Sequence, residues 1–507
     1  MPDRSIKTKV LNSMLWKILE QAGSQGIQFV VALVLARLMT PEEYGTISLI
    51  MIFITIANTF VQSGFATALV QKQDVTDEDY SSVFWCSMLL AAAGSILLSL
   101  SAPAIAVWYG RPVLVPLVRV MSLVLFPGAV VSIQTACIAR RMQFRILFLG
   151  TMLAVLVSGG AAILLALRGF GVWAMAAQQI VYYITLMCVL FILLDWRPGR
   201  TFRGQRLRNL FSFGWKILAS GLIDTIWMNV YGLVIGRRYS PADLGIYSRG
   251  EQFPKLVATN LSAAVQAVML PAYASRQEDP EALRSMLRQS LRMSAFVMFP
   301  MMAGLAAVSR PLVLVLLTEK WAAAAPYLAI MCLTYAIYPI HVNNLQVINA
   351  MGRSDLFLRL EILKKAIGIV VLLLSLPYGI LPMLCLKVLD EYLCSFINAW
   401  PNRRLIQYGP LRQWKDLLPS AAASLLMAAA VAALPLLPKL LQPANAGVVG
   451  STSAASGSLG ILSSLLSRPL PTLLLQIALG IPLYILLSYL LNRDMLREAT
   501  RLFFRRH

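Results

Sequence analysis

Histidine is nearly absent. Only His341 and His507 occur in 507 residues, so a histidine-built metal site is excluded and no metal ligand is assigned. The six cysteines, Cys86, Cys137, Cys188, Cys332, Cys385 and Cys394, stand singly inside apolar stretches. They lack the spacing of a disulfide framework or a zinc motif and read as small buried hydrophobes. Charge is scarce as well, at 13% of residues against roughly 25% in an average soluble domain. There is no glycine-rich loop to cradle phosphate and no nucleotide-binding domain, which argues against direct use of ATP. No sizeable loop carries the Arg or His that a membrane polysaccharide polymerase or ligase would need. Asp77-Glu78-Asp79 has the look of a glycosyltransferase Asp-x-Asp, but no sugar-nucleotide domain surrounds it and it reads as a solvated acidic loop. No catalytic residue and no cofactor are assigned.

Apolar residues make up 58% of the chain. A spanning helix needs about 20 of them in a row, and runs of that length begin near residues 11, 44, 81, 113, 146, 171, 211, 245, 293, 323, 357, 379, 417 and 469. The expected fold is therefore an all-α polytopic membrane protein with about fourteen transmembrane helices. The net charge of +21 does not point to nucleic acid, because the basic residues sit in short clusters between apolar runs. Arg140, Arg141 and Arg145 follow span 4, Arg197, Arg200, Arg203, Arg206 and Arg208 follow span 6, and Arg276, Arg284, Arg288 and Arg292 follow span 8. Arg403, Arg404, Arg412 and Lys415 follow span 12, and Arg493, Arg497, Arg501, Arg505 and Arg506 follow span 14. Alternate loops are short and poor in Lys and Arg, so both termini are expected in the cytoplasm.

The chain also repeats itself. Trp16-Lys17-Ile18-Leu19 recurs as Trp215-Lys216-Ile217-Leu218, and Thr40-Pro41-Glu42-Glu43-Tyr44-Gly45 as Ser240-Pro241-Ala242-Asp243-Leu244-Gly245. Pro127, Gln134 and Arg141 find partners in Pro339, Gln346 and Arg353. Each unit holds six spans, an even number, so both copies enter the membrane from the same side as parallel repeats. The expected organisation is an N-lobe at 1–208 with spans 1–6 and a C-lobe at 209–404 with spans 7–12. Two extra helices follow at 405–507, with a Ser- and Gly-rich linker at 439–468 and a basic cytoplasmic tail.

At these residues the chain resembles a known group. The Thr-Pro-Glu-Glu-Tyr-Gly turn at 40–45, Glu319-Lys320-Trp321 with Ala324-Ala325-Pro326, and Asn349-Ala350-Met351-Gly352-Arg353-Ser354-Asp355 are similar to the polysaccharide flippases of the multidrug/oligosaccharidyl-lipid/polysaccharide exporter superfamily. The Wzx-type exopolysaccharide and lipopolysaccharide flippases carry the likeness best, over nearly all of residues 10–400. The resemblance implies two lobes, alternating access and a place in the bacterial inner membrane. The implied cargo is an undecaprenyl-pyrophosphate-linked oligosaccharide carried to the outer leaflet, for delivery to polysaccharide polymerase machinery. The rival within the superfamily is a cation-coupled multidrug antiporter.

Ionisable groups inside the membrane mark the candidate site, since each costs at least about 2.5–3.5 kcal/mol at the bilayer centre. Lys17, Glu20, Gln21, Ser24, Gln25 and Gln28 share one face of span 1, a stripe too polar for lipid that is expected to line a cavity. Snorkelling to the interface is the plainer alternative for Lys17. Lys216 and Asp224 recur on one face of span 7, so that Lys17 and Lys216 could meet one anionic ligand. Arg249 and Gln252 on span 8 either join the cavity or lie outside the membrane, and Gln134 and Gln346 are expected to see sugar hydroxyls. In span 12, Lys387, Asp390 and Glu391 share a face near mid-membrane. Lys387 and Glu391 could neutralise one another, and the remaining carboxylate is a candidate for coupling to a proton or sodium gradient. Basic residues at Lys17, Lys216 and Arg249 favour an anionic substrate over a cationic drug.

Overall fold

The computed structural model describes residues 2–71, 75–200, 204–436 and 468–504. Among them the secondary structure is helical: α1 (Pro2–Leu38), α2 (Pro41–Gln71), α3 (Asp77–Tyr109), α4 (Leu114–Ser122), α5 (Leu125–Arg141), α6 (Phe144–Leu167), α7 (Val172–Leu193), α8 (Gly204–Arg238) and α9 (Pro241–Ala274). There follow α10 (Pro280–Ala307), α11 (Ser309–Leu316), α12 (Ala324–Ala336), α13 (Tyr338–Ala350), α14 (Ser354–Ser375), α15 (Ile380–Ala399), α16 (Asn402–Leu405), α17 (Pro410–Ala433), α18 (Pro469–Leu491) and α19 (Arg493–Phe504). The linker expected at 439–468 lies outside the described residues except for Arg468.

Among the described residues twelve segments are long and apolar enough to cross a membrane. The count of fourteen rests on two further helices, α14 and α15, which occupy the places of the eleventh and twelfth runs. Their interiors hold Arg359, Glu361, Lys364 and Lys365, and Lys387, Asp390 and Glu391. That charge keeps both below an apolar threshold. The helices turn large side chains outward, with Leu100 75%, Val107 83% and Ile192 77% exposed. In water such surfaces would drive association; here they are the faces that lipid covers.

Packing divides the chain into two units, Met1–Gly245 and Ile246–His507. In the first, α2 lies along α8 because Gly232 and Gly236, one turn apart, present no side chain to it. A Cβ at Gly232 would come within 2.9 Å of Ile52 Cδ1, and one at Gly236 within 3.0 Å of Leu49 Cδ1. Small residues four apart let helices approach closely in lipid, where tight packing replaces the hydrophobic effect. In the second unit α17 packs on α10, and α17 and α18 share a core of Val308, Ala423, Met427, Val431, Leu473 and Tyr484. The Tyr484 hydroxyl donates to the Phe296 carbonyl at 2.7 Å.

The repeated turn has the same hydrogen bonds in both copies. Thr40 N–H donates to Glu43 Oε2 at 2.7 Å, and Glu43 N–H donates to Thr40 Oγ1 at 3.3 Å. Ser240 N–H donates to Asp243 Oδ2 at 3.1 Å, and Asp243 N–H to Ser240 Oγ at 3.1 Å. Each is a capping box with proline at the first helical position, where its missing N–H costs nothing. Five residues into each helix stands a glycine, and the two cross. A Cβ on Gly45 would fall 1.6 Å from the Pro241 carbonyl oxygen, and one on Gly245 2.0 Å from that of Pro41. Only glycine fits at either position.

Candidate functional site

In the first unit the polar stripe of α1 is present but partly paired within itself. Lys17 Nζ donates to Glu20 Oε2 at 2.7 Å, with Lys17 exposed and Glu20 buried. Gln21 and Gln28 are exposed and Gln25 is half-buried. Asp224 on α8 is exposed, whereas the Lys216 side chain lies outside the described residues. Gln134 sits in the packed interior of α5, 1% exposed, and donates to the Met187 carbonyl at 3.5 Å. Its surroundings there are helix contacts.

A second polar feature of this unit was not legible in the sequence. Thr55, Asn58, Thr59 and Gln62 on α2 face Gln179 and Tyr183 on α7 across a pocket of about 270 Å³. Gln62 Nε2 donates to Asn58 Oδ1 at 3.1 Å. Gly128 of α5 backs the two amides: a Cβ there would stand 3.0 Å from Gln62 Nε2 and 3.2 Å from Asn58 Oδ1. Uncharged amides, hydroxyls and a tyrosine ring suit sugar hydroxyls and the apolar faces of a sugar ring.

The second unit holds the charged centre. Glu251 on α9, mostly buried, gathers three donors on Oε1: Tyr335 at 3.0 Å, Tyr247 at 3.1 Å and Lys387 at 3.5 Å. Lys387 therefore pairs across helices with Glu251 rather than along its own helix with Glu391. Glu391 faces His341 instead, Oε2 to Nε2 at 3.5 Å. The other ring nitrogen, Nδ1, is 3.0 Å from Asn398 Nδ2. If that amide donates, the ring proton is assigned to Nε2, toward the carboxylate. Asp390 is buried and accepts from the Cys394 thiol at 3.7 Å.

The remaining expected residues are dispersed. Arg249 is buried, donates to Gln252 Oε1 and lies 5.8 Å over the Trp321 ring. Gln346 is half-buried on α13. The structure thus brings together Lys17 with Glu20 and Arg249 with Gln252. It also adds Glu251, Tyr335 and His341 to the span-12 charges. Among the described residues no group of three or more His, Cys, Asp or Glu could hold a metal ion.

Residues 34–326 match the family described as polysaccharide biosynthesis protein. Among curated proteins, the succinoglycan biosynthesis transport protein ExoT of Rhizobium meliloti is 29% identical over 66% of this chain and 68% of its own length. The teichuronic acid biosynthesis protein TuaB of Bacillus subtilis is 25% identical over 69% and 73%. The lipopolysaccharide biosynthesis protein WzxC of Escherichia coli is 22% identical over 71% and 74%. Among solved structures, the lipid II flippase MurJ in an inward closed conformation superposes with a TM-score of 0.72 at 15% identity, covering 95% of this chain and 99% of that one. An inward-facing multidrug-resistance transporter of the MATE family and MOP superfamily gives 0.60 at 15% identity, over 76% and 94%.

Proposed function

The chain belongs to the polysaccharide biosynthesis protein family, and from that membership we propose that it is a flippase for lipid-linked oligosaccharides. It carries undecaprenyl-pyrophosphate-linked repeat units from the inner to the outer leaflet of the bacterial cytoplasmic membrane, with both termini in the cytoplasm. It hands them to polysaccharide polymerase machinery and performs no covalent chemistry itself. The carrying observation is the family match, which is joined by relatives named for succinoglycan transport and for lipopolysaccharide biosynthesis. The polar pocket between α2 and α7 supports the same reading, because sugar hydroxyls leaving water need replacement donors and acceptors. The test is to delete the gene and probe lipid-linked repeat units with an external glycosidase in spheroplasts. Protected, inward-facing units are expected to accumulate. Normal outward exposure, joined by new sensitivity to cationic drugs, would assign a multidrug antiporter instead.

The sugar pocket has its own test. Asn58→Leu with Gln62→Leu removes two amides at a cost of about 0.5–1.5 kcal/mol per hydrogen bond, so export should fall roughly tenfold. Membrane abundance of the variant should match the parent's. Unchanged export would remove the pocket from the transport path.

Coupling to a proton gradient is assigned to Glu391 and His341. Glu251 already has a cation in Lys387, whereas Glu391 faces a neutral-capable imidazole. Around Glu391 stand Lys387 and Asp390 on its own helix, the Lys364–Glu361 pair on α14, and Tyr335 and Tyr338. Glu391→Gln is expected to leave the protein in the membrane and remove the dependence of export on the pH gradient. A variant that still responds to collapse of that gradient as the parent does rejects the assignment, and a response to sodium alone moves the coupling to that ion.

A further inference from the structure

One end of the second unit carries a basic cleft of about 360 Å³ between α10 and α17, with Arg284, Arg288, Arg292, Arg412 and Lys415 around a single carboxylate, Asp416. The three arginines of α10 stand at successive turns and climb about 12 Å at 1.5 Å per residue. Asp416 is fully engaged. Arg288 Nε and Nη2 reach its two oxygens at 2.9 and 2.7 Å, and the Tyr408 hydroxyl donates to Oδ2 at 2.7 Å. Among the described residues no other carboxylate lies within ion-pair distance of the cluster, so Arg284, Arg292, Arg412 and Lys415 make no ion pair, Arg412 donating instead to the Gln407 carbonyl at 3.1 Å. Four cations converging on one cleft repel one another unless an anion sits among them.

The apolar surroundings say which anion. Lys415 lies on a single exposed face of α17 together with Leu411, Leu418 and Leu425, which are 78%, 64% and 61% exposed. That stripe runs from the cleft along the helix toward its apolar end. Trp400 is 59% exposed nearby in sequence and has Arg403 5.8 Å from its ring, a pairing that marks the membrane–water interface. A free phosphate would satisfy the cations and leave the leucine stripe unused. A lipid matches both.

We propose that the α10–α17 cleft is a binding site for an anionic glycerophospholipid, its phosphate held by Arg284, Arg292 and Lys415 and an acyl chain laid along Leu418 and Leu425. Arg288, fixed by Asp416, forms the wall of the site. Bound there, the lipid ties α10 to the helix pair α17 and α18. The inference rests on the chain's being a membrane protein and not on its cargo.

The experiment compares the parent chain with Arg284→Gln/Arg292→Gln/Lys415→Gln, which leaves the Arg288–Asp416 pair intact. Each is delipidated in neutral detergent and titrated with phosphatidylglycerol or phosphatidylcholine, reading retained lipid by native mass spectrometry and the melting temperature in parallel. The parent should retain phosphatidylglycerol in preference to phosphatidylcholine, and each cation removed should cost about fivefold. Melting of the variant in phosphatidylcholine should equal the parent's, which separates loss of binding from loss of fold; should the triple variant not fold, Lys415→Gln alone must lower the preference about fivefold. An unchanged preference overturns the site. Protection by inorganic phosphate equal to that by phosphatidylglycerol overturns the lipid assignment in favour of a free anion. Displacement of phosphatidylglycerol by a polyprenyl pyrophosphate at equal concentration overturns it in favour of cargo.

Discussion

Gly45→Ala is expected to abolish export. The new Cβ would lie 1.6 Å from the Pro241 carbonyl oxygen, and the mirror change Gly245→Ala would place one 2.0 Å from the Pro41 oxygen. Both obstacles are backbone atoms that cannot rotate away. The penalty should therefore reach or exceed the roughly 1–3 kcal/mol typical of overpacking. A change at either glycine prises α2 from the first turn of α9, and export should drop at least tenfold, as 1.4 kcal/mol is a decade. The control is Gly26→Ala, where the added carbon meets nothing within 4 Å. Complementation of a deletion strain, together with membrane abundance and melting in detergent, checks the result. Parental export with parental melting in both glycine variants would mean the crossing is not formed in the working protein.

The second large effect concerns Lys387 and Glu251. Lys387→Met should lower stability by roughly 3–5 kcal/mol, the usual cost of stranding one partner of a buried ion pair. Glu251 would keep its two tyrosine donors but lose the ammonium at 3.5 Å. Replacing both, Lys387→Met with Glu251→Leu, should recover part of the loss, since an apolar pair is often as stable as the ionic one, the remainder being the Tyr247 and Tyr335 hydroxyls left without their acceptor. The four proteins form a double-mutant cycle, read as thermal shifts in detergent; because each single change strands its partner and the double change does not, the coupling energy should be at least about 3 kcal/mol, the upper end for groups in contact. Additive losses would show that the two side chains do not act together. The recovered double variant should still fail in export if the pair also serves transport.

Much of the fold was legible because a bilayer leaves few options. Apolar runs of spanning length had to be helices, and the repeated Thr-Pro-Glu-Glu and Ser-Pro-Ala-Asp motifs mark two turns with identical capping. The number of spans was harder to read. α14 and α15 are helical at the expected places, yet each carries three or more charges in its interior, whereas each of the twelve apolar segments has an 18-residue stretch with at most two. Within the site, helical periodicity puts Lys387, Asp390 and Glu391 on one face of α15. It could not say which charge meets which, because Lys387 finds Glu251 and Glu391 finds His341 through packing between helices far apart in sequence. The pocket of Asn58, Gln62, Gln179 and Tyr183 stayed hidden for the same reason. One signal was available and missed: Gly232 and Gly236, a Gly-x-x-x-Gly pair whose meaning is close helix contact.

The two capped turns bear on how the chain is made. The connections between α1 and α2 and between α8 and α9 are two residues each, Met39-Thr40 and Tyr239-Ser240. A naked backbone polar group in hydrocarbon costs several kcal/mol, and a turn is where such groups collect. Here the side chains of Thr40, Glu43, Ser240 and Asp243 close those bonds from within the turn itself, using no partner from elsewhere in the fold. The backbone of each turn is thus satisfied by its own residues, without waiting for a later helix. The two turns can therefore close early, while the side-chain contacts of α2 and α9 wait for the helices that supply them.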